Sequence, residues 1–108
     1  MTARVLFHVN HLWGVGHFAR IAAIANALVE AGGAATVLAG NAVPPGRLDA
    51  RVKLVELPVI RAADPTYARL VDAAGAPVSA GLWARRAQLI DEALAASAPQ
   101  VLVTETFP

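Results

Sequence analysis

Apolar residues fall along the chain in short uninterrupted runs and in one long helical stripe. Val5 to Val9 is a β-prone apolar run without alternation, the pattern of a strand buried on both faces of a parallel sheet. After the loop Asn10 to Gly16, Phe18, Ile21, Ala22, Ala25, Leu28 and Val29 recur at i, i+3, i+4, i+7 spacing and predict a helix from His17. Gly32-Gly33 supplies its left-handed stop. Ala35 to Ala39 is the second strand, ended by Gly40-Asn41, so the first forty residues form a strand–helix–strand unit with a right-handed crossover.

Beyond Pro44-Pro45-Gly46, Val52 to Leu57 reads as a third strand closed by Pro58. Turns at Asp64-Pro65 and at Asp72 to Gly75 bracket Tyr67 to Val71, which fits either a helical turn or half of a small hairpin. Ser79 is placed to cap a second helix. Its inward stripe is expected to be Trp83, Ala87, Ile90 and Leu94, with Arg85, Gln88 and Glu92 outward and the Arg85-Arg86 pair on the helix surface. Pro99 ends that helix, and Gln100 to Thr104 is a fourth strand of buried type. The order β-α-β-β-α-β predicts an α/β, Rossmann-like layered domain with a mostly parallel four-strand sheet. Two long helices are little cover for two faces of such a sheet, so further chain or another subunit is expected over it.

Composition narrows the class. Of 108 residues, 56% are hydrophobic, 25 of them alanine, while only 16% are charged and the net charge is +1. That excludes a disordered chain and leaves no basic footprint for nucleic acid. The absence of cysteine excludes a disulfide scaffold. The first apolar run is too short for a signal peptide, and Arg20, Asn26, Glu30 and Gly32-Gly33 interrupt the stretch from Phe18 to Gly40. A soluble, cytoplasmic location is expected.

Ligands of open α/β sheets bind beyond the carboxyl ends of the strands. Three segments lie there: Asn10 to His17, Gly40 to Gly46 with Asn41 at its start, and Glu105-Thr106-Phe107. Gly14 and Gly16 allow a tight turn and close approach to the backbone, and the free N–H groups of the helix start favour an anion such as phosphate. His17 at that helix start is biased toward neutral imidazole, a form able to accept a proton. Arg20, one turn on, suits either an anion or solvent. His8, inside the strand, reads as a hydrogen-bonded core histidine. His8, His11 and His17 have no recognised zinc spacing, so no metal is expected. Gly14-x-Gly16-x-x-Ala19 fits a dinucleotide fingerprint in outline, but Ala39-Gly40-Asn41 lacks the acidic residue that would hold a ribose.

Val5-Leu6-Phe7-His8-Val9, Gly14-Val15-Gly16-His17-Phe18-Ala19-Arg20, the helix ending Ala27 to Gly32, Trp83-Ala84-Arg85-Arg86 and Pro99 to Pro108 together resemble the opening of GT-B glycosyltransferases, in particular the bacterial glycosyltransferases related to MurG. The resemblance spans nearly the whole chain. It implies the N-terminal, acceptor-binding half of a two-domain enzyme, truncated here. A C-terminal domain, absent from these residues, would bind a nucleotide-sugar donor, which is a co-substrate rather than a cofactor. It further implies that His17 is the base that deprotonates the acceptor hydroxyl and that Glu105 orients it. By the same resemblance Gly14 and Gly16 are candidates to hold an acceptor phosphate, and His11, Arg20 and Asn41, at the same carboxyl edge of the sheet, are candidates to bind the acceptor or its phosphate with them. The acceptor is then a small molecule or a lipid-linked one; the latter would put the protein at the inner-membrane surface. The chain departs from the broader family at Arg20, where proline is usual, and at Glu105, where aspartate is commoner. Two other expectations compete: a non-catalytic binding or assembly module that dimerises through the uncovered sheet face, and a dinucleotide-binding Rossmann domain.

Overall fold

The computed structural model describes residues 2–14 and 16–105. Val15, Thr106, Phe107 and Pro108, quoted above with the loop and strand-end motifs, lie outside the described residues. Strands β1 (Arg4–Val9), β2 (Ala34–Ala39), β3 (Lys53–Glu56) and β6 (Val101–Glu105), with β4 (Arg61–Ala62) and β5 (Leu70–Val71) between them, frame helices α1 (Gly16–Glu30) and α2 (Ala80–Ser97). The main sheet has the order β3-β2-β1-β6 and every pairing is parallel. This is the α/β layered architecture the pattern predicts.

Alternation along the strands divides the core into two layers. Phe7, Val9, Val37 and Ala39 point to one face and pack on Phe18, Ile21, Ala22, Ala25 and Val29 of α1. The alanines at 22 and 25 let the helix lie close to the sheet. On the opposite face Leu6, Leu38 and Leu57 meet Ala93, with Leu89, Ile90 and Leu94 of α2 beside them. Alpha1 ends as its glycines require: Gly32 takes φ +94, and the N–H groups of Gly32 and Gly33 return to the carbonyls of Val29 and Leu28. Ser79 caps α2, its hydroxyl accepting from the Leu82 N–H at 3.1 Å. Ser79→Ala should therefore lower stability by about 1 kcal/mol, readable as a drop in the urea midpoint.

Three expectations are corrected. Arg86 is buried, not a surface residue, and Trp83 is 51% exposed, not core. The inward stripe of α2 is Arg86, Leu89, Ile90, Ala93 and Leu94, rotated so that Trp83 and Ala87 line a cleft. Beta6 is an edge strand rather than a buried one: it pairs with β1 alone, and Val101 and Leu102 are 51% and 57% exposed, because α2 lies over the other strands. The segment after Pro58 resolves as the hairpin alternative, with β4 and β5 antiparallel.

Candidate functional site

The carboxyl ends of β1 and β6 meet beside the first turn of α1. Glu105 ends β6 in register with Val9, and both side chains project to the α1 face. There His17 Nδ1 lies 2.7 Å from Glu105 Oε1. With its proton on Nδ1 the imidazole donates to the carboxylate, and Nε2 keeps its lone pair. Arg20 follows His17 by three residues on the same helix face, and its Nη1 stands 3.3 Å from that Oε1. Glu105 thus accepts from two donors 88 and 85 positions away in sequence, joined because β6 lies next to β1. Glu105 is mostly covered, whereas His17 is about one-third exposed and Arg20 is two-thirds exposed. A fixed carboxylate, a reachable imidazole and a guanidinium at the rim form a unit able to accept a proton from a bound hydroxyl.

The glycine loop keeps room beside it. Gly14 has φ +73, a conformation that favours glycine, and among the described residues no heavy atom beyond the chain neighbours lies within 4 Å of where a Cβ would stand at Gly14 or Gly16.

His11 and Asn41 do something else. His11 is buried, its ring 5.7 Å from that of Phe18, and Nε2 donates to the Ala42 carbonyl at 2.9 Å. Asn41 donates through Nδ2 to the His11 carbonyl at 2.7 Å and accepts from the Ala42 N–H. The pair stitches the loop after β1 to the loop after β2, so neither side chain is presented to a ligand in the way His17 is. Burial holds the His11 pKa below the ordinary histidine value, outweighing the Ala42 carbonyl that raises it; the nearby His17 lowers it further.

His8, half-buried on the opposite face, has Nδ1 3.2 Å from the Thr104 hydroxyl. Burial, then the nearby Arg86, lowers its pKa. For both histidines the unfolded chain binds a proton more readily than the folded one. Their contribution to stability is therefore complete above 6.5 and is lost as pH falls through 6.5 toward the folded values. The urea midpoint should drop between about pH 7.5 and pH 5.5, and His8→Val should remove part of that slope; an unchanged slope would assign it to other groups.

Sequence reasoning missed a polar knot at the carboxyl ends of β1, β2 and β3. Arg86, 5% exposed, donates to the carbonyls of Gly40 and Pro58 and to the Asn10 side-chain oxygen. It lines a cleft of ≈ 420 Å³ with His8, Asn10, Leu12, Ile60 and Trp83. Among the described residues no three histidine, aspartate or glutamate side chains converge as metal ligands. No helix among them is long and apolar enough to cross a membrane. Comparison of the chain with protein-family models, curated proteins and solved structures returned no match.

Proposed function

We propose that the chain is the acceptor-side domain of an inverting glycosyltransferase, with His17 as general base and Glu105 as its orienting carboxylate. The observation that carries this reading is the 2.7 Å contact between His17 Nδ1 and Glu105 Oε1 at the carboxyl edge of a parallel sheet. Ligands approach that edge in open α/β folds. The glycine loop beside the dyad leaves space for the acceptor, and Arg20 at the rim offers a cation to an acceptor phosphate.

In the proposed step the acceptor hydroxyl gives its proton to His17 Nε2. Its oxygen forms a bond to the anomeric carbon of the donor as the bond from that carbon to the diphosphate breaks. Nucleoside diphosphate leaves with the electron pair, and the anomeric configuration inverts. Glu105 holds the ring in the tautomer that presents Nε2 and stabilises the imidazolium that results. The donor is held by residues beyond these 108, so the test is made on the full-length polypeptide. It should release UDP from a panel of UDP-sugars only when an acceptor alcohol is present, with the product anomer inverted by NMR. Release that does not depend on an acceptor, or a retained anomer, would overturn the reading.

The exposed edge of β6 favours a second reading, assembly through that edge with another copy of the chain. Val101 and Leu102 lie bare on a strand edge that pairs with no other strand among the described residues, a surface suited to strand pairing. Light scattering at micromolar concentration separates the two: a dimer abolished by Leu102→Lys supports assembly, and a monomer removes it.

A further inference from the structure

Arg86 sits among atoms that satisfy part of its hydrogen-bonding capacity and none of its charge. Two backbone carbonyls and one amide oxygen accept from it. No carboxylate among the described residues comes within ion-pair distance. Burying a cation without an anion is costly, and the protein accepts that cost at one place in the α2-side layer. Both Nη1 protons are occupied by the carbonyls and one Nη2 proton by Asn10. Nε–H and the other Nη2 proton make no hydrogen bond among the described residues. These are donors left over for an anion, and a guanidinium suits a carboxylate better than any other side-chain cation does.

That guanidinium forms part of the wall of the ≈ 420 Å³ cleft. The size falls within the range of ~300–1,000 Å³ typical of small-molecule sites. Apart from Arg86, Asn10 and His8, the lining is apolar: Leu12, Ile60, Leu70, Trp83, Ala87 and Ile90. The half-exposed Trp83 at its mouth is an aromatic face with no packing role in the core. A second apolar cavity of ≈ 250 Å³ shares His8 and Ile90 with it, so the cleft continues toward Leu102. His8 is held toward its neutral form by burial and by Arg86 itself. Arg86 is then the fixed positive charge of an otherwise greasy pocket.

We propose that this cleft binds an apolar monocarboxylate, an aromatic or short fatty acid whose carboxylate pairs with Arg86 and whose hydrocarbon body lies against Ile60, Ile90 and Trp83. The site is on the opposite face of the sheet from His17 and Glu105, and the proposal does not depend on sugar transfer.

The test titrates the full-length polypeptide with 4-phenylbutyrate and with its neutral isostere 4-phenylbutanamide, followed by NMR on the Trp83 indole and the backbone amides. The carboxylate should bind at sub-millimolar concentration and shift Trp83, Arg86 and Ile60. The amide should bind about tenfold more weakly, the difference between a charged and a neutral hydrogen-bond partner. Ala87→Phe, at an exposed position on the cleft wall, should abolish binding with the fold intact. Arg86→Lys, which keeps the charge but loses the fork, should weaken it. Ala87→Phe keeps the test decisive even where the Arg86 variant fails to fold. Equal affinity for acid and amide would overturn the proposal, as would binding indifferent to Ala87→Phe. Shifts confined to Gly16, His17 and Arg20, or no binding at millimolar concentration, would overturn it as well.

Discussion

Replacing His17 by alanine should slow sugar transfer by roughly 10²–10⁴-fold, the usual contribution of a positioned general base. The first turn of α1 should be undisturbed, since the imidazole is about one-third exposed. Substitutions at Glu105 then separate orientation from charge. In Glu105→Gln the amide oxygen can still accept from both His17 Nδ1 and Arg20 Nη1, so the ring stays oriented and only the charge is lost. The expected fall is about tenfold, the difference between charged and neutral hydrogen bonds. Glu105→Leu removes both effects and should approach the lower end of the His17→Ala loss. Because the two residues act as one unit, His17→Ala with Glu105→Leu should be no slower than His17→Ala alone. Wild-type rates in His17→Ala, with circular dichroism unchanged, would leave the dyad without a role in the chemistry.

The features legible in the sequence are those written locally. Mostly apolar runs without alternation mark β1 and β2 because a parallel strand is buried on both faces, and the Gly32-Gly33 and Ser79 signals act within one helical turn of themselves. The approach of His17 to Glu105 was foreseeable through a resemblance and through the rule about strand ends, not through spacing, since 88 residues separate them. Arg86 shows where local pattern stops. Its burial depends on acceptors 46, 28 and 76 positions away, and no periodicity within α2 encodes them. Trp83 and Arg86 are neighbouring faces of one helix, and hydrophobicity alone puts the tryptophan inward. The oxygens gathered at the ends of β1, β2 and β3 reverse that order by supplying the guanidinium with partners. His11 is a smaller instance: its partner Ala42 lies 31 residues on, so a loop histidine that reads as ligand-facing becomes an internal strut. Beta6 reads as a buried strand because its composition is that of one, and what covers it is not written in its own residues.

Because Gly40 and Arg86 hold one another in place, substitutions there should produce the largest losses of stability. A Cβ at Gly40 would collide with the Asn10 side-chain oxygen and stand 2.7 Å from Arg86 Nη2. Relief requires Asn10 and Arg86 to move, breaking the bonds that join the ends of β1, β2 and β3. Gly40→Ala should therefore cost about 1–3 kcal/mol, the range for forcing atoms into a packed site. Arg86→Met leaves the Pro58 carbonyl and the Asn10 oxygen without their donor, while the Gly40 carbonyl keeps the Ile60 N–H. Each buried acceptor left unpaired costs roughly 1–3 kcal/mol, but water entering from the cleft offsets part of it, so a loss of about 3 kcal/mol is expected. On a domain of this size that lowers Tm by roughly 10–20 °C. The two changes should not add. Removing the guanidinium removes one of the three close contacts at Gly40 and releases Asn10 to move from the other two, so Gly40→Ala in the Arg86→Met background should cost less than it does in the wild type. Urea titration of the four proteins measures this directly. Strict additivity would mean that the glycine is required for some reason other than the arginine beside it.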